Sequence, residues 1–294
     1  MSSSIKQRLL NRYEEVTYDA LSRACAGDGA KVFAKVRIAD VFRLEKSGIS
    51  AAEYSYALRA HFDFLVVSET FHPLFSVEFD GPLHRSSELQ RRRDETKNAL
   101  CTRFDHGLLR INSNYLTRQF RGLGLLTYFV DAWFLERAFD EAQRKGIVPY
   151  DEPFDMTFII SNGTSRTHWP YWLTRDIQLE IQQMHKRGQV AHMAPSHFVG
   201  TDAEGNYRCI SWIELNDRDV ISVRTGMREQ RFPAVCKSDL ISMLAMFDLY
   251  ERIKEVLNGR VVQLSEREAF FLKVLPEFEA KYSMVSKATV GYAQ

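Results

Sequence analysis

Cysteine is scarce in this chain and widely scattered. The four residues Cys25, Cys101, Cys209 and Cys236 show no CxxC spacing, which excludes a zinc ribbon and a disulfide framework as the organising device. Long apolar runs are missing as well: none approaches the roughly 20 residues needed to span a bilayer, and residues 1–6 lack a signal-peptide core. The expectation is a cytoplasmic protein with no membrane partner. An excess of one charge is also lacking. Lys and Arg number 39 against 38 Asp and Glu, a net charge of +1, so any nucleic-acid binding must come from local clusters. There is no GxxxxGK(S/T), no GxSxG and no internal repeat, which argues against a P-loop NTPase, a hydrolase triad and a solenoid. His168, His185, His192 and His197 have no regular ligand spacing and read as structural or surface residues.

At 294 residues the chain exceeds the roughly 150 residues of a typical domain, so two domains are expected. Residues 146–153, with Pro149 and Pro153, read as the linker. The division expected is 1–148 and 149–294.

The most informative stretch is 61–111. His61–Val67 and Leu74–Asp80 are apolar, β-branched and aromatic runs joined by a polar segment ending in Pro73, the pattern of an antiparallel hairpin. With Val67 opposite Leu74, counting back in equal steps puts Asp63 opposite Glu78. Directly opposed residues share a face, and like charges there destabilise the pair. Asp80 projects from the same face by the period of two. Three carboxylates among Phe, Leu and Val call for a cation, and oxygen donors select hard ions such as Mg²⁺ or Mn²⁺. The plain alternative is that Asp63 and Glu78 lie on the solvated face of a one-sided sheet.

Beyond Gly81 and His84, Ser86 or Ser87 suits the N-cap of a helix reaching about Phe104. Asp105, His106 and Gly107 stop it, and residues 108–111 form a short buried strand. Strand, crossover helix and strand imply a parallel partner and hence a mixed sheet. Asp94 and Lys97 share a face of the helix. Arg85, Arg91, Arg92, Arg93, Lys97 and Arg103 outnumber Glu88, Asp94 and Glu95 by three, so this helix can hold phosphates; a solvated face laced with local ion pairs is the other reading.

These residues carry a resemblance. Asp63, the run Glu78-Phe79-Asp80-Gly81, His84, Asp94 with Lys97, and Leu109-Arg110-Ile111 resemble the PD-(D/E)XK nuclease superfamily, specifically its very-short-patch-repair-like branch and a bacterial domain-of-unknown-function family, number 2726. The resemblance covers about residues 5–115, and residues 31–42 match that family's first-strand segment. It implies a restriction-endonuclease-like αβββαβ core and a metal-dependent phosphodiesterase. Asp63 and Glu78 would be the metal-binding acids on Mg²⁺ or Mn²⁺, with Asp80 available for a second ion. The superfamily's usual lysine, two residues after its glutamate, is replaced here by Asp80, so Lys97 or His84 would orient the water or the leaving group. The family also has a Glu near position 14, which makes Glu14 a further metal candidate beside its alternative as a solvated helix residue. DNA rather than RNA as substrate, a phage-defence or mobile-element setting, and a homo-oligomer or partner protein of a defence system are expectations from the resemblance alone.

Elsewhere, residues 5–25 carry a helix-like apolar spacing and Lys31–Ile38 alternates as a strand. Residues 40–60 read as a short helix and polar loop. Thr117–Lys145 reads as one long helix, broken at Gly122 or Gly124, with its aromatics packed across the back of the sheet, or against a second copy or the next domain. The second half reads as α+β: a strand at 156–161, a loop at 162–169, a helix at 174–188, strands at 206–215 and 220–225, and helices at 239–257 and 265–282. Arg166, Trp169, Tyr171 and Trp172 could stack bases, although aromatics also seed small cores. The competing function is a nuclease-fold module that binds nucleic acid or a partner without cleaving.

Overall fold

The alternating run Lys31–Arg37 and the two apolar runs that follow His61 assemble into a sheet. The computed structural model describes residues 8–80, 88–120, 123–155, 170–260 and 263–290. Two units result: Met1–Phe154 with Gln230–Ala234, and Asp155–Glu229 with Val235–Gln294. The break at Phe154 lies close to the expected linker. The return of 230–234 to the first unit has no expression in local composition.

The first unit runs α1 (Arg12–Cys25), β1 (Lys31–Arg37), α2 (Ile38–Val41), α3 (Ala51–Arg59), β2 (His61–Val67), β3 (Pro73–Phe79), α4 (Glu88–Arg103) and β4 (Gly107–Ile111). Asn11 starts α1 with a full capping box, its side chain accepting from Tyr13 and Glu14 N–H while Glu14 accepts from Asn11 N–H. Ser50 and Glu53 do the same for α3. The sheet order is β1-β2-β3-β4; β1, β2 and β3 pair antiparallel and β4 joins β3 in parallel. The sheet is therefore mixed, as the crossover helix requires.

The hairpin strand begins at Pro73, one residue earlier than expected, because the register shifts between Val66 and Val67. From Val66↔Phe75 to Phe64↔Val77 the pairing keeps the expected register, and the ladder stops one step short of Asp63 and Glu78, which meet instead through the Asp63 N–H and a Glu78 carboxylate oxygen.

One side of the sheet is filled by Ile38, Phe42, Ala57, Phe62, Leu100 and Leu108. Behind Phe75 stand Trp133 and Phe232, with ring centroids 5.1 and 5.2 Å away. The helix expected over 117–145 is instead α5 (Ser113–Thr117), a hairpin of β5 (Gln119–Phe120) and β6 (Leu123–Gly124), and α6 (Leu125–Arg144). Its aromatics pack on the sheet. A Cβ at Gly107 would come 2.8 Å from Trp133 Cζ3, so this close approach of α6 to β4 needs glycine.

The second unit contains α7 (Pro170–Lys186), β7 (Ser196–Thr201), β8 (Tyr207–Glu214), β9 (Asp219–Met227), α8 (Lys237–Leu257), β10 (Ser265–Glu266), α9 (Arg267–Ala269), a π turn (Phe270–Val274), α10 (Leu275–Lys281) and β11 (Ser283–Ala288). It is a five-stranded antiparallel sheet of order β10-β9-β8-β7-β11. Ile213 and Ile221 pack with Ile181, Leu249 and Ile253 of α7 and α8. Trp212 and Val220, one residue away in each strand, meet Phe270, Leu275 and Phe278 on the other face. Strands β7 and β11 were not anticipated, and the helix expected over 265–282 is interrupted by the π turn ahead of Pro276, whose missing N–H suits a helix start. The strand expected at 156–161 and the loop at 162–169 lie outside the described residues. No described helix is long and apolar enough to cross a membrane.

Candidate functional site

β2 and β3 part company where their acids meet. Phe79 N–H donates to Asp63 Oδ2 at 3.0 Å, and Asp63 N–H donates to Glu78 Oε1 at 3.3 Å. Each carboxylate therefore satisfies a backbone donor of the opposite strand, where an uninterrupted ladder would use carbonyls. The facing pattern changes here too: Phe64 meets Tyr18 of α1, while Phe62 joins Phe42 and Leu100. A strict period of two would put both on one side.

Two lysines neutralise the pair. Lys97 reaches across from the third turn of α4, its Nζ donating to Glu78 Oε1 at 2.7 Å and to the His61 carbonyl at 2.9 Å. Lys97 and Glu78 are among the few buried charged residues, with side chains 9% and 10% exposed. Burial pushes the Glu78 carboxyl above its ordinary range; Lys97 opposes that shift and Asp63 reinforces it.

Lys35 of β1 stands on the other side, its Nζ 2.6 Å from Glu14 Oε1 and 2.7 Å from Asp63 Oδ1. Partial burial works against its charge, yet the bonds to Asp63 and Glu14 prevail and hold its pKa above the ordinary lysine value. Its backbone is unusual: φ is +58° in the middle of a strand. Ala34 and Val36 pair with Phe64 and Phe62, which sets Lys35 opposite Asp63. A left-handed non-glycine residue costs on the order of 1–3 kcal/mol and persists where its surroundings impose it.

Asp80 goes elsewhere. β4 runs parallel to β3 with Arg110 beside Glu78, so the guanidinium shares the face of Glu78 and Asp80. Arg110 Nη1 lies 3.4 Å from both Asp80 Oδ1 and Asp94 Oδ1, and Nη2 donates to Asn98 Oδ1 at 3.1 Å. The expected grouping of Asp63, Glu78, Asp80 and Glu14 around an ion is thus not formed: among the described residues, no three His, Cys, Asp or Glu side chains come together to hold a metal. The physical reason is that Arg110, a buried cation on the adjacent strand, claims Asp80. Glu14 sits in the neighbourhood of Asp63 through Lys35, and its other oxygen caps α1.

Arg91 and Arg92 lie on the exposed face of α4, 3.8 Å from Glu95 and 2.6 Å from Glu88. Pairs this exposed contribute little, and a phosphate could take the place of either glutamate. Arg93 is also exposed. His84, Arg85, Arg166 and Trp169 lie outside the described residues.

Lys35 and Arg110 were not singled out from the sequence. Arg110 left a usable signal, a charge in a short strand buried on both sides. Lys35 left none, since 23 residues separate β1 from β2 and no tight turn fixes their register.

Residues 6–121 match the model of a family described as Protein of unknown function (DUF2726). No curated protein and no solved structure matches the chain.

Proposed function

We propose that the first unit is a metal-dependent nuclease that hydrolyses phosphodiester bonds, DNA before RNA, and that its helix and mixed sheet are a restriction-endonuclease-like core. The observation that carries this reading is the placement of Asp63 and Glu78 side by side where β2 and β3 diverge, with the Lys97 ammonium on Glu78.

The donors fit a hard cation: they are oxygens, and Mg²⁺ is commonly held by one or two carboxylates together with waters and substrate phosphates. Asp63 and Glu78 would hold the ion. When bound, it would lower the pKa of a water and offset charge developing on the scissile phosphate. The chain's own contribution is preorganisation. Phe79 N–H fixes the Asp63 carboxylate, and Lys97 fixes Glu78 and favours its ionised form against the burial that raises its pKa. The exposed arginines of α4 supply cationic contacts for the backbone of a nucleic acid.

A second reading, a nuclease-fold module that binds without cleaving, is favoured by one observation: Lys35 already takes Asp63 Oδ1. Cleavage of plasmid and single-stranded DNA with Mg²⁺ or Mn²⁺, run on the natural chain and on Asp63→Asn, separates the two. The nuclease reading expects metal-dependent cleavage that the substitution abolishes while DNA binding survives. Binding without cleavage under either metal establishes the module.

A further inference from the structure

We propose that Lys35 is a resident cation of this site that exchanges with the divalent ion: its ammonium clamps Glu14 to Asp63 when no metal is bound, and releases Asp63 when one is. The inference rests on the metal-dependent reading above and adds to it a residue outside the acids.

Three features of the geometry point to it. The ammonium lies at 2.6 and 2.7 Å from oxygens of two carboxylates on different elements, α1 and β2. A divalent ion gripping Asp63 through Oδ1 would occupy that same volume. The other oxygen, Oδ2, already accepts from Phe79 N–H, which leaves Oδ1 as the less engaged donor and the atom for which the two cations compete. The two cations repel at such a separation, so they exclude each other there.

Lys35 also has somewhere to go. Its side chain is 40% exposed, against 9% for Lys97, so it can swing to solvent or toward a bound phosphate without opening the core. Lys97, buried and anchored to the His61 carbonyl as well as to Glu78, has no such freedom. The two lysines that neutralise the acids thus divide into one fixed and one exchangeable. The residue that spans both acids is also the one whose backbone is left-handed, a conformation that persists where its surroundings impose it.

The test uses the whole chain and two readouts. Mn²⁺ binding is followed by calorimetry for the natural protein and for Lys35→Met. Accessibility of the Lys35 amine is followed by a brief pulse of an N-hydroxysuccinimide ester at fixed pH, with and without saturating Mn²⁺, and quantified by peptide mass spectrometry. Lys31, exposed on the same strand and donating to the Glu69 carbonyl, is the internal reference. Saturating metal should speed Lys35 labelling about tenfold while Lys31 stays constant, and Lys35→Met should bind Mn²⁺ about tenfold more tightly, on the scale of one opposing unit charge removed from a few ångström away. The labelling distinguishes release from mere repulsion. Mn²⁺ binding with unchanged Lys35 labelling overturns the exchange alone. Absence of Mn²⁺ binding in both proteins overturns the metal-dependent reading and the exchange with it.

Discussion

The side-chain amide of Gln230 pairs with the backbone of Arg110 in both directions, Oε1 accepting the Arg110 N–H at 2.8 Å and Nε2 donating to the Arg110 carbonyl at 2.7 Å. Gln230 is fully buried and also donates to the Tyr115 hydroxyl. One residue on, the Arg231 carbonyl accepts from Leu108 N–H at 2.9 Å. Among the described residues, the edge of β4 is thus covered by the Gln230 side chain and one β-bridge, and no fifth strand pairs with it.

Gln230→Leu should therefore be costly despite keeping the volume. It leaves a buried N–H and a buried carbonyl on β4 without partners, each worth roughly 1–3 kcal/mol. A urea titration should show a loss of about 2–5 kcal/mol at constant slope, and an unchanged midpoint would mean that water reaches this edge.

Lys97→Met should destabilise more than Glu78→Gln. Removing the cation strands a buried carboxylate, at a cost of about 3–5 kcal/mol, whereas replacing the acid leaves a lysine that still donates to the His61 carbonyl. The double variant Glu78→Leu with Lys97→Met should recover most of the loss. With Glu78→Leu as the matching single variant, additive losses in the four-protein cycle would show that the two side chains are not coupled.

His106 sets a pH dependence. Burial lowers its pKa from 6.5 to about 4, and its Nε2 lies 2.8 Å from Ser76 Oγ. A folded-state pKa below the unfolded one means that the unfolded chain binds the proton first. This residue's contribution is then complete above pH 6.5, declines as the pH falls, and levels off below about 4. Between pH 7 and pH 5 it accounts for a loss of about 2 kcal/mol, at roughly 1.4 kcal/mol per pH unit. His106→Gln should shrink the difference between urea midpoints at those two pH values by that amount. An equal difference in both proteins would assign the acid sensitivity to other groups.

The hairpin and the crossover were legible because each is a local pattern. Pro73 and the polar residues before it bound two apolar runs, and equal counting placed Asp63 against Glu78 in the register that the ladder from Val66 to Phe64 keeps. Lys97 is marked by the face it shares with Asp94 and by the resemblance, neither of which fixes its reach to Glu78. What stayed hidden depends on pairing across long separations. Lys35 meets Asp63 only because β1 pairs with β2 in one register, and Gln230 meets Arg110 across 120 positions. The period of two gives the face of Asp80, but nothing local says that a parallel strand will bring Arg110 alongside it. The strand β11 was unreadable for another reason: all but one of its residues are exposed, so hydrophobic alternation could not mark it.

The backbone at Lys35 allows a test in which the usual ranking of two residues should invert. Within a strand, glycine is ordinarily worse than alanine by roughly 0.5–1 kcal/mol, because it loses more freedom on folding. At φ +58° the alanine Cβ crowds the following carbonyl, at roughly 1–2 kcal/mol, and glycine avoids that crowding. Lys35→Ala and Lys35→Gly lose the same bonds to Glu14 and Asp63, so their difference reports the backbone alone. Lys35→Gly should be the more stable of the two by up to about 1 kcal/mol. If Lys35→Ala proves the more stable, the residue sits in ordinary extended conformation and no left-handed backbone is built into β1.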